Sequence, residues 1–270
     1  GWNLFDAISP YGYPCPLAFT LDGAEPDKAF LAEALRSLVS VLRERGIISV
    51  FLRLHPLLPL PTAPIEQHGC LVQHGQTVYV DLTLPQEILW RQTSATTRNK
   101  INAAKRKRYV VDMDRGHENV DTFVELYAET MRRLGAADHY FFSREYFTRL
   151  LQSMRDYFHL CLVRVDGAVA GGGIFSECCG IVQYHLSGTK EVYLKHQTSS
   201  FLLEFMRTWA KQRGNRLFHL GGGLGAAEDS LFKFKANFSP LRRPFYTWRL
   251  IVDPAAYSAV VAQWERLAAT

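Results

Sequence analysis

A glycine-rich stretch near the end of the chain closes on two lysines: His219-Leu-Gly-Gly-Gly-Leu-Gly-Ala-Ala-Glu-Asp-Ser-Leu-Phe-Lys-Phe-Lys-Ala-Asn-Phe238. Gly222 and Gly223 let backbone approach a ligand closely, because no Cβ stands in the way. A phosphate cradle is one use of such a loop and a tight turn is the other. The Gly-x-x-x-x-Gly-Lys-Ser/Thr spacing of a nucleotide-binding loop is absent. Asp229 or Ser230 is placed to cap the helix that follows. On that helix Lys233 and Lys235, with Phe234 between them, point ~200° apart, so at most one faces a given cleft. A cation held in a cleft can stabilise negative charge on a bound ligand. Two solvated lysines are the plainer reading.

A second cluster is purely electrostatic. Arg98, Lys100, Lys105, Arg106, Lys107 and Arg108 fall within eleven residues that hold no acid. The other 259 residues carry 25 basic and 26 acidic groups, so the net charge of +5 is the +6 of this one block set against −1 for the rest. At helical spacing Arg98, Ile101, Asn102 and Lys105 share one face, and Lys100, Ala103, Ala104 and Lys107 another. A solvated basic helix is one reading. A phosphate-bearing partner is the other: tRNA, a nucleotide-linked precursor or an anionic membrane surface. No aromatic residue interleaves the charges for base stacking, so a nucleic acid would be held by its backbone.

Acid–base chemistry would need a group placed to carry a proton. Asp138, Glu177, Glu228 and Asp229 are the carboxylates available, and none has a spacing that singles it out. Tyr184 could act as an acid or orient an acceptor. Ser199, at the start of a helix, could donate to a phosphate or cap the helix. Hydrolase chemistry has no support, since there is no Gly-x-Ser-x-Gly and no Cys/His pair in a recognisable setting. The histidines lack ligand spacing, Cys178-Cys179 is a poor metal or disulfide pair, and no structural zinc is expected. Five cysteines without a Cys-x-x-Cys fit thiols in a reducing cytoplasm.

These residues need elements to position them. The 270 residues, 47% hydrophobic and 21% charged, describe an ordinary globular chain of about two domains. Disordered, collagen-like and coiled-coil classes are excluded. The most apolar stretch, Ile47 to Pro61, is interrupted by Arg53, His55, Pro56 and Pro59, so no transmembrane helix or stable membrane insertion is expected, and no signal peptide is read. Nine of the twelve prolines lie in residues 1–85, which makes the first third turn-rich.

Hydrophobic periodicity predicts helices over 27–45, from Pro85, and over 96–108, 119–134, 143–154, 199–213, 228–237 and 255–268. It predicts strands over 47–54, 77–82, 109–112, 159–165, 168–176, 180–186, 217–220 and 245–252. Asp166-Gly167 and Cys179-Gly180 are the expected hairpin turns. Antiparallel strands followed by a strand–helix–strand crossover are the layout of a GNAT-type acyltransferase. The expectation is an α/β (α+β) fold of tandem GNAT-like domains with mixed, largely antiparallel central sheets. Residues 1–95 would form a partial N-terminal domain, with 253–270 as the segment that would complete it, and 96–252 a C-terminal GNAT domain.

Glu228-Asp-Ser-Leu-Phe-Lys-Phe-Lys-Ala-Asn-Phe238, preceded by Leu220-Gly-Gly-Gly, resembles the C-terminal signature of FemAB-like proteins. These are tandem-GNAT, amide-forming transferases that include the aminoacyl-tRNA-dependent enzymes of peptidoglycan cross-bridges. Ser9-Pro-Tyr-Gly-Tyr-Pro14, Thr97-Arg-Asn-Lys-Ile-Asn-Ala-Ala-Lys105 and Tyr184-His-Leu-Ser-Gly-Thr189 resemble the related acyltransferase-like branch. The resemblance spans roughly residues 8 to 250 in unbroken order. It implies that Lys235 stabilises the oxyanion, with Lys233 as the other possibility. It further implies that Tyr184 orients the acceptor, and it adds Tyr11 and Tyr13 as substrate contacts. Arg98, Lys100 and Lys105 would hold phosphates.

The implied donor is aminoacyl-tRNA, with no tightly bound cofactor. The implied acceptor is an amine of a cell-envelope precursor, nucleotide- or lipid-linked, or of a peptide. Leu194-Lys-His-Gln-Thr-Ser-Ser-Phe201 stands where ordinary GNAT enzymes carry a glycine turn for the coenzyme A pyrophosphate, and it contains no glycine. An acyl-CoA or acyl-carrier donor is therefore the alternative rather than the first expectation. A non-catalytic module that binds RNA or anionic lipid is a further one.

Overall fold

The computed structural model describes residues 3–14, 16–17, 20, 26–59 and 62–268. Contacts divide the chain into two units, Gly1–Gln76 with Arg243–Thr270, and Thr77–Arg242. The changeovers fall within one strand and at the start of another, where sequence reading placed them at 95/96 and 252/253.

In the first unit, strand β1 (Phe5–Ile8) pairs in parallel with β2 (Ile47–Arg53), and β2 pairs antiparallel with β9 (Arg242–Ile251). Helix α1 (Lys28–Glu44) begins where Asp27 accepts bonds from the N–H groups of Ala29 and Phe30. Helix α2 (Thr62–His68) precedes strand β3 (Cys70–Asp81), and α9 (Pro254–Ala268) follows β9. Leu35, Val50, Leu54, Ile65, Trp248 and Leu250 form the core of this unit. Buried Trp248 donates its indole N–H to the Ile65 carbonyl at 3.1 Å. Sequence reading missed β1 and α2 and began β3 only at Thr77. A four-residue edge strand has no periodicity to read, and Pro56 to Pro64 conceals a helix that begins within it.

In the second unit the strand order is β3–β8–β7–β6–β5–β4. Helices α3 (Gln86–Gln92) and α4 (Ala95–Arg106) lead into β4 (Val110–Met113). Helices α5 (Val120–Arg133) and α6 (Arg144–Ser153) follow. Strands β5 (Phe158–Val165), β6 (Ala168–Cys178) and β7 (Ile181–Thr189) form an antiparallel meander. Its two turns are Asp166-Gly167 and Cys179-Gly180, with φ positive at all four residues, as the mirror-image hairpin turn requires.

Helix α7 (Thr198–Gln212) crosses over to β8 (Leu217–Gly221), which lies parallel to β7, and α8 (Ser230–Ala236) follows. One core, containing Val80, Leu89, Ile101, Phe175, Met206 and Phe218, lies among the strands, α3, α4, α7 and α8. A second, containing Phe123, Leu126, Phe147 and Ile174, lies beneath α5 and α6. Gly188 is required for that packing, because a Cβ there would stand 2.4 Å from Leu126 Cδ2.

Candidate active site

The site begins where two parallel strands part. Among the described residues β7 pairs with β8 at Ile181↔Leu217, Val182↔Phe218 and Gln183↔His219 and no further, although β7 runs on to Thr189. Tyr184 is therefore the first residue of β7 without a β8 partner. On the other side β8 ends at Gly221, whose φ of +81° turns the chain into Gly222 and Gly223. The separation leaves a notch with Tyr184 on one lip and the glycine loop on the other.

Lys235 reaches across this notch from α8. Its Nζ donates to the Gly222 carbonyl at 2.6 Å and lies 5.9 Å from the centroid of the Tyr184 ring. Only 8% of the residue is exposed. Burial pushes the ammonium down to about 8, although the charge of Asp229 draws it back up. It remains mostly protonated at neutral pH. Lys233, two residues earlier, is exposed, as the helical geometry predicts. Phe234 is half-buried, edge-on to Phe238.

The loop is held by Asp229. Its carboxylate accepts from Phe232 N at 2.8 Å, capping α8, and from Leu224 N at 3.1 Å. Burial alone would raise this carboxyl, but the backbone N–H groups of Phe232, Leu224 and Leu231 outweigh it and hold it below its ordinary value. A carboxylate so stabilised is a poor proton acceptor, so Asp229 serves as cap and loop anchor. A Cβ at Gly223 would lie 2.1 Å from the Ala227 carbonyl and 2.3 Å from Asp229 Oδ1, which is why only glycine fits there.

Opposite, the Tyr184 hydroxyl pairs with the Ser187 hydroxyl. Burial raises the phenol, with Ser187 opposing. Ser187 was not found from sequence, because residues three apart on a regular strand face opposite ways. A register shift between Ile174 and Phe175 of β6 leaves His185 as an extra residue on β7, which turns Tyr184 and Ser187 to the same side. No residue type in the sequence marks that bulge.

The remaining predicted residues lie in several places. Ser199, in the first turn of α7, bonds its hydroxyl to Thr189 Oγ1 at 3.2 Å. Arg98 is committed to the end of α3, donating from Nη1 to the carbonyls of Trp90, Arg91 and Thr93. Lys105 is exposed and lies over the Trp90 ring, 5.5 Å from its centroid, while Lys100 is half-buried. Of the carboxylates, Asp138 and Glu228 are exposed. Glu177 is a structural anchor: it accepts from Arg213 Nε, from Asn215 Nδ2 at 2.6 Å and pairs with His159 at 3.1 Å. Tyr11 and Tyr13 belong to the other unit, where Tyr13 packs edge-on to Phe245.

Sequence reading also missed the buried pair Glu204–Arg207 on α7, whose arginine donates to the Leu89 carbonyl at 3.0 Å and Thr93 Oγ1 at 2.8 Å. A cavity of about 430 Å³ lined by Arg115, His117, Arg144, Thr148 and Arg155 contains none of the predicted site residues. Among the described residues no cluster of three or more histidine, cysteine or acidic side chains is arranged to hold a metal ion, and no helix is long and apolar enough to cross a membrane.

The family model of an acetyltransferase (GNAT) domain matches residues 91–233, which take in α4, the meander, α7 and the glycine loop. No curated protein matches the chain. Among solved structures, FemX superposes with a TM-score of 0.66 at 14% identity, over 85% of this chain and 79% of that one. L-PGS from Bacillus licheniformis superposes at 0.59 and 14% identity, over 90% and 86%. The C-terminal domain assigned to a lysylphosphatidylglycerol synthetase from Agrobacterium fabrum does so at 0.59 and 15% identity, over 87% and 78%. At these identities the likeness is one of fold.

Proposed function

The chain belongs to the acetyltransferase (GNAT) family, an enzyme family of acyl transfer, and from that premise we propose that it forms an amide by moving an aminoacyl group from a charged tRNA onto an amine. The observation that carries this reading is the buried Lys235 ammonium bridging the notch between Gly222 and Tyr184. In the proposed reaction the acceptor amine attacks the ester carbonyl of the donor. A C–N bond forms and a tetrahedral oxyanion develops. Collapse of that intermediate breaks the ester C–O bond, and the ribose oxygen departs with a proton. Lys235 supplies positive charge to the oxyanion in a site shielded from water, where such stabilisation is strongest. The Tyr184–Ser187 hydroxyl pair orients the acceptor.

Three features favour an aminoacyl-tRNA donor. The segment entering α7 lacks the glycine turn, α4 carries Lys100 and Lys105 as cations suited to an RNA backbone, and the resemblance to FemAB-like proteins points the same way. The lysylphosphatidylglycerol synthetase neighbour is, by its name, concerned with joining an amino acid to a phospholipid. Acceptors in keeping with the resemblance are cell-envelope precursors and peptides.

One observation favours acyl-CoA instead. Gln197, which precedes α7 in a left-handed conformation, gives no side-chain cap to the helix, so no side chain of that residue competes with a phosphate at its N-terminus. Radiolabelled donors separate the two. Label should pass from a pool of charged tRNAs into base-stable amide products of an envelope-precursor extract, and Lys235→Ala should slow this by about 10²–10³. Transfer from acetyl-CoA alone, or full transfer by Lys235→Ala, would overturn the proposal.

A further inference from the structure

We propose that Lys190–His196, together with the end of α4, is a docking surface for an anionic phospholipid bilayer. A 3-10 turn, Glu191–His196, projects between β7 and α7. At its tip Val192 is 78% exposed and Leu194 39% exposed. Lys190 and Lys195 bracket the two apolar side chains. Tyr193 points the other way and packs against the buried cluster of Ala104, Tyr109, Val165 and Ala170.

The Tyr109 hydroxyl is 2.6 Å from His196 Nδ1, which ties this turn to the residue that follows Lys107 and Arg108. Both of those cations are exposed. Two basic stretches far apart in sequence are thus held at one place, and the second of them carries the exposed aliphatic side chains Val192 and Leu194. The acids nearby are Asp166, Glu191 and Glu129, and Glu129 accepts the Glu191 N–H. They are outnumbered by Lys107, Arg108, Lys190 and Lys195 together with Arg106 at the end of α4.

The combination selects among anionic partners. Phosphates of any source would pair with the cations. Exposed valine and leucine side chains offer an RNA no π-face on which a base could stack. They do suit the headgroup–acyl boundary of a bilayer, where apolar tips enter while lysine stems extend their ammoniums to lipid phosphates. β7 connects this surface to the site: Tyr184 to Thr189 extends about 17 Å.

Sedimentation with vesicles tests this on the full chain. The protein should pellet with phosphatidylcholine–phosphatidylglycerol vesicles and not with phosphatidylcholine alone, and binding should fall as salt rises. Val192→Asp should weaken binding about tenfold or more, the loss expected for one buried aliphatic side chain. Val192→Trp should strengthen it, an opposite sign that a change in folding would not produce. Lys190→Gln/Lys195→Gln should weaken it by a similar factor. No binding of the parent protein to anionic vesicles overturns the proposal. So does indifference to Val192→Asp, or a Val192→Asp variant that loses tRNA binding while keeping vesicle binding. Transfer from a soluble donor to a soluble amine, measured without vesicles, reports on the amide-forming reading separately.

Discussion

At the residue scale the decisive group is Lys235. If its ammonium stabilises the oxyanion, activity requires the protonated form. Burial lowers its value from 10.5 to about 8, so the charge is present below that pH and lost above it. We expect kcat/KM to fall about tenfold per pH unit above roughly 8, where an ordinary lysine would still be charged. A pH–rate profile flat to pH 10 would remove Lys235 from the chemistry. Lys235→Ala should lower kcat by about 10²–10³ with little change in overall fold. Gly223→Ala tests the opposite lip. Its Cβ would overlap the Ala227 carbonyl and Asp229, both fixed parts of the loop. We expect a cost of about 1–3 kcal/mol in chemical denaturation and loss of transfer; an unchanged stability would mean the loop yields easily. Ser187→Ala should reduce activity less than Tyr184→Phe, since it acts by orienting the phenol.

At the element scale, cations fasten α3. Arg98 and buried Arg207 both bond carbonyls at its C-terminal end, and Lys211 Nζ donates to the carbonyls of Leu82 and Leu84 just before it. Arg207 is fully buried with Glu204, whose carboxyl burial raises although the arginine opposes it. Arg207→Met alone would strand the Glu204 charge, at a cost of about 3–5 kcal/mol. Glu204→Leu/Arg207→Met should recover much of that, and urea unfolding of both variants checks the sign. Arg98→Gln should lower stability by roughly 1–3 kcal/mol through lost charge-assisted bonds. Lys100→Gln/Lys105→Gln should lower the melting temperature only slightly, through the lost Lys105–Trp90 contact, and weaken tRNA binding. The six cations read as one block in sequence therefore separate into an arginine that fastens α3, a lysine stacked on Trp90, and others nearer the surface.

At the scale of the whole molecule, the net charge of +5 is a local field rather than a general property. Filter binding of tRNA across a salt series should give a steep log–log slope, and Lys100→Gln/Lys105→Gln should reduce that slope by about two, one per phosphate contact. A slope unaltered by the double variant would locate the RNA elsewhere. The family match ends at residue 233, so Lys235 lies two residues beyond it, and its assignment depends on the α8 geometry and the resemblance of its motif.

Much was legible in the sequence because it depends on neighbours along the chain. Asp166-Gly167 and Cys179-Gly180 had to be turns, since both need residues that tolerate positive φ. Asp27 and Ser143 had to begin helices, and Lys233 and Lys235 had to diverge on one. The acyltransferase layout followed from the order of the elements. What only the tertiary structure decided depends on groups distant in sequence. The parting of β7 from β8 made the notch. The bulge at His185 brought Ser187 beside Tyr184, and packing buried Lys235 and lowered its proton affinity. The carbonyls of α3 took Arg98 from the basic block, and Tyr109 drew the Lys190–His196 turn to the end of α4. Local sequence sets which conformations each segment prefers; burial and long-range hydrogen bonds determine which side chains acquire an environment in which they can react.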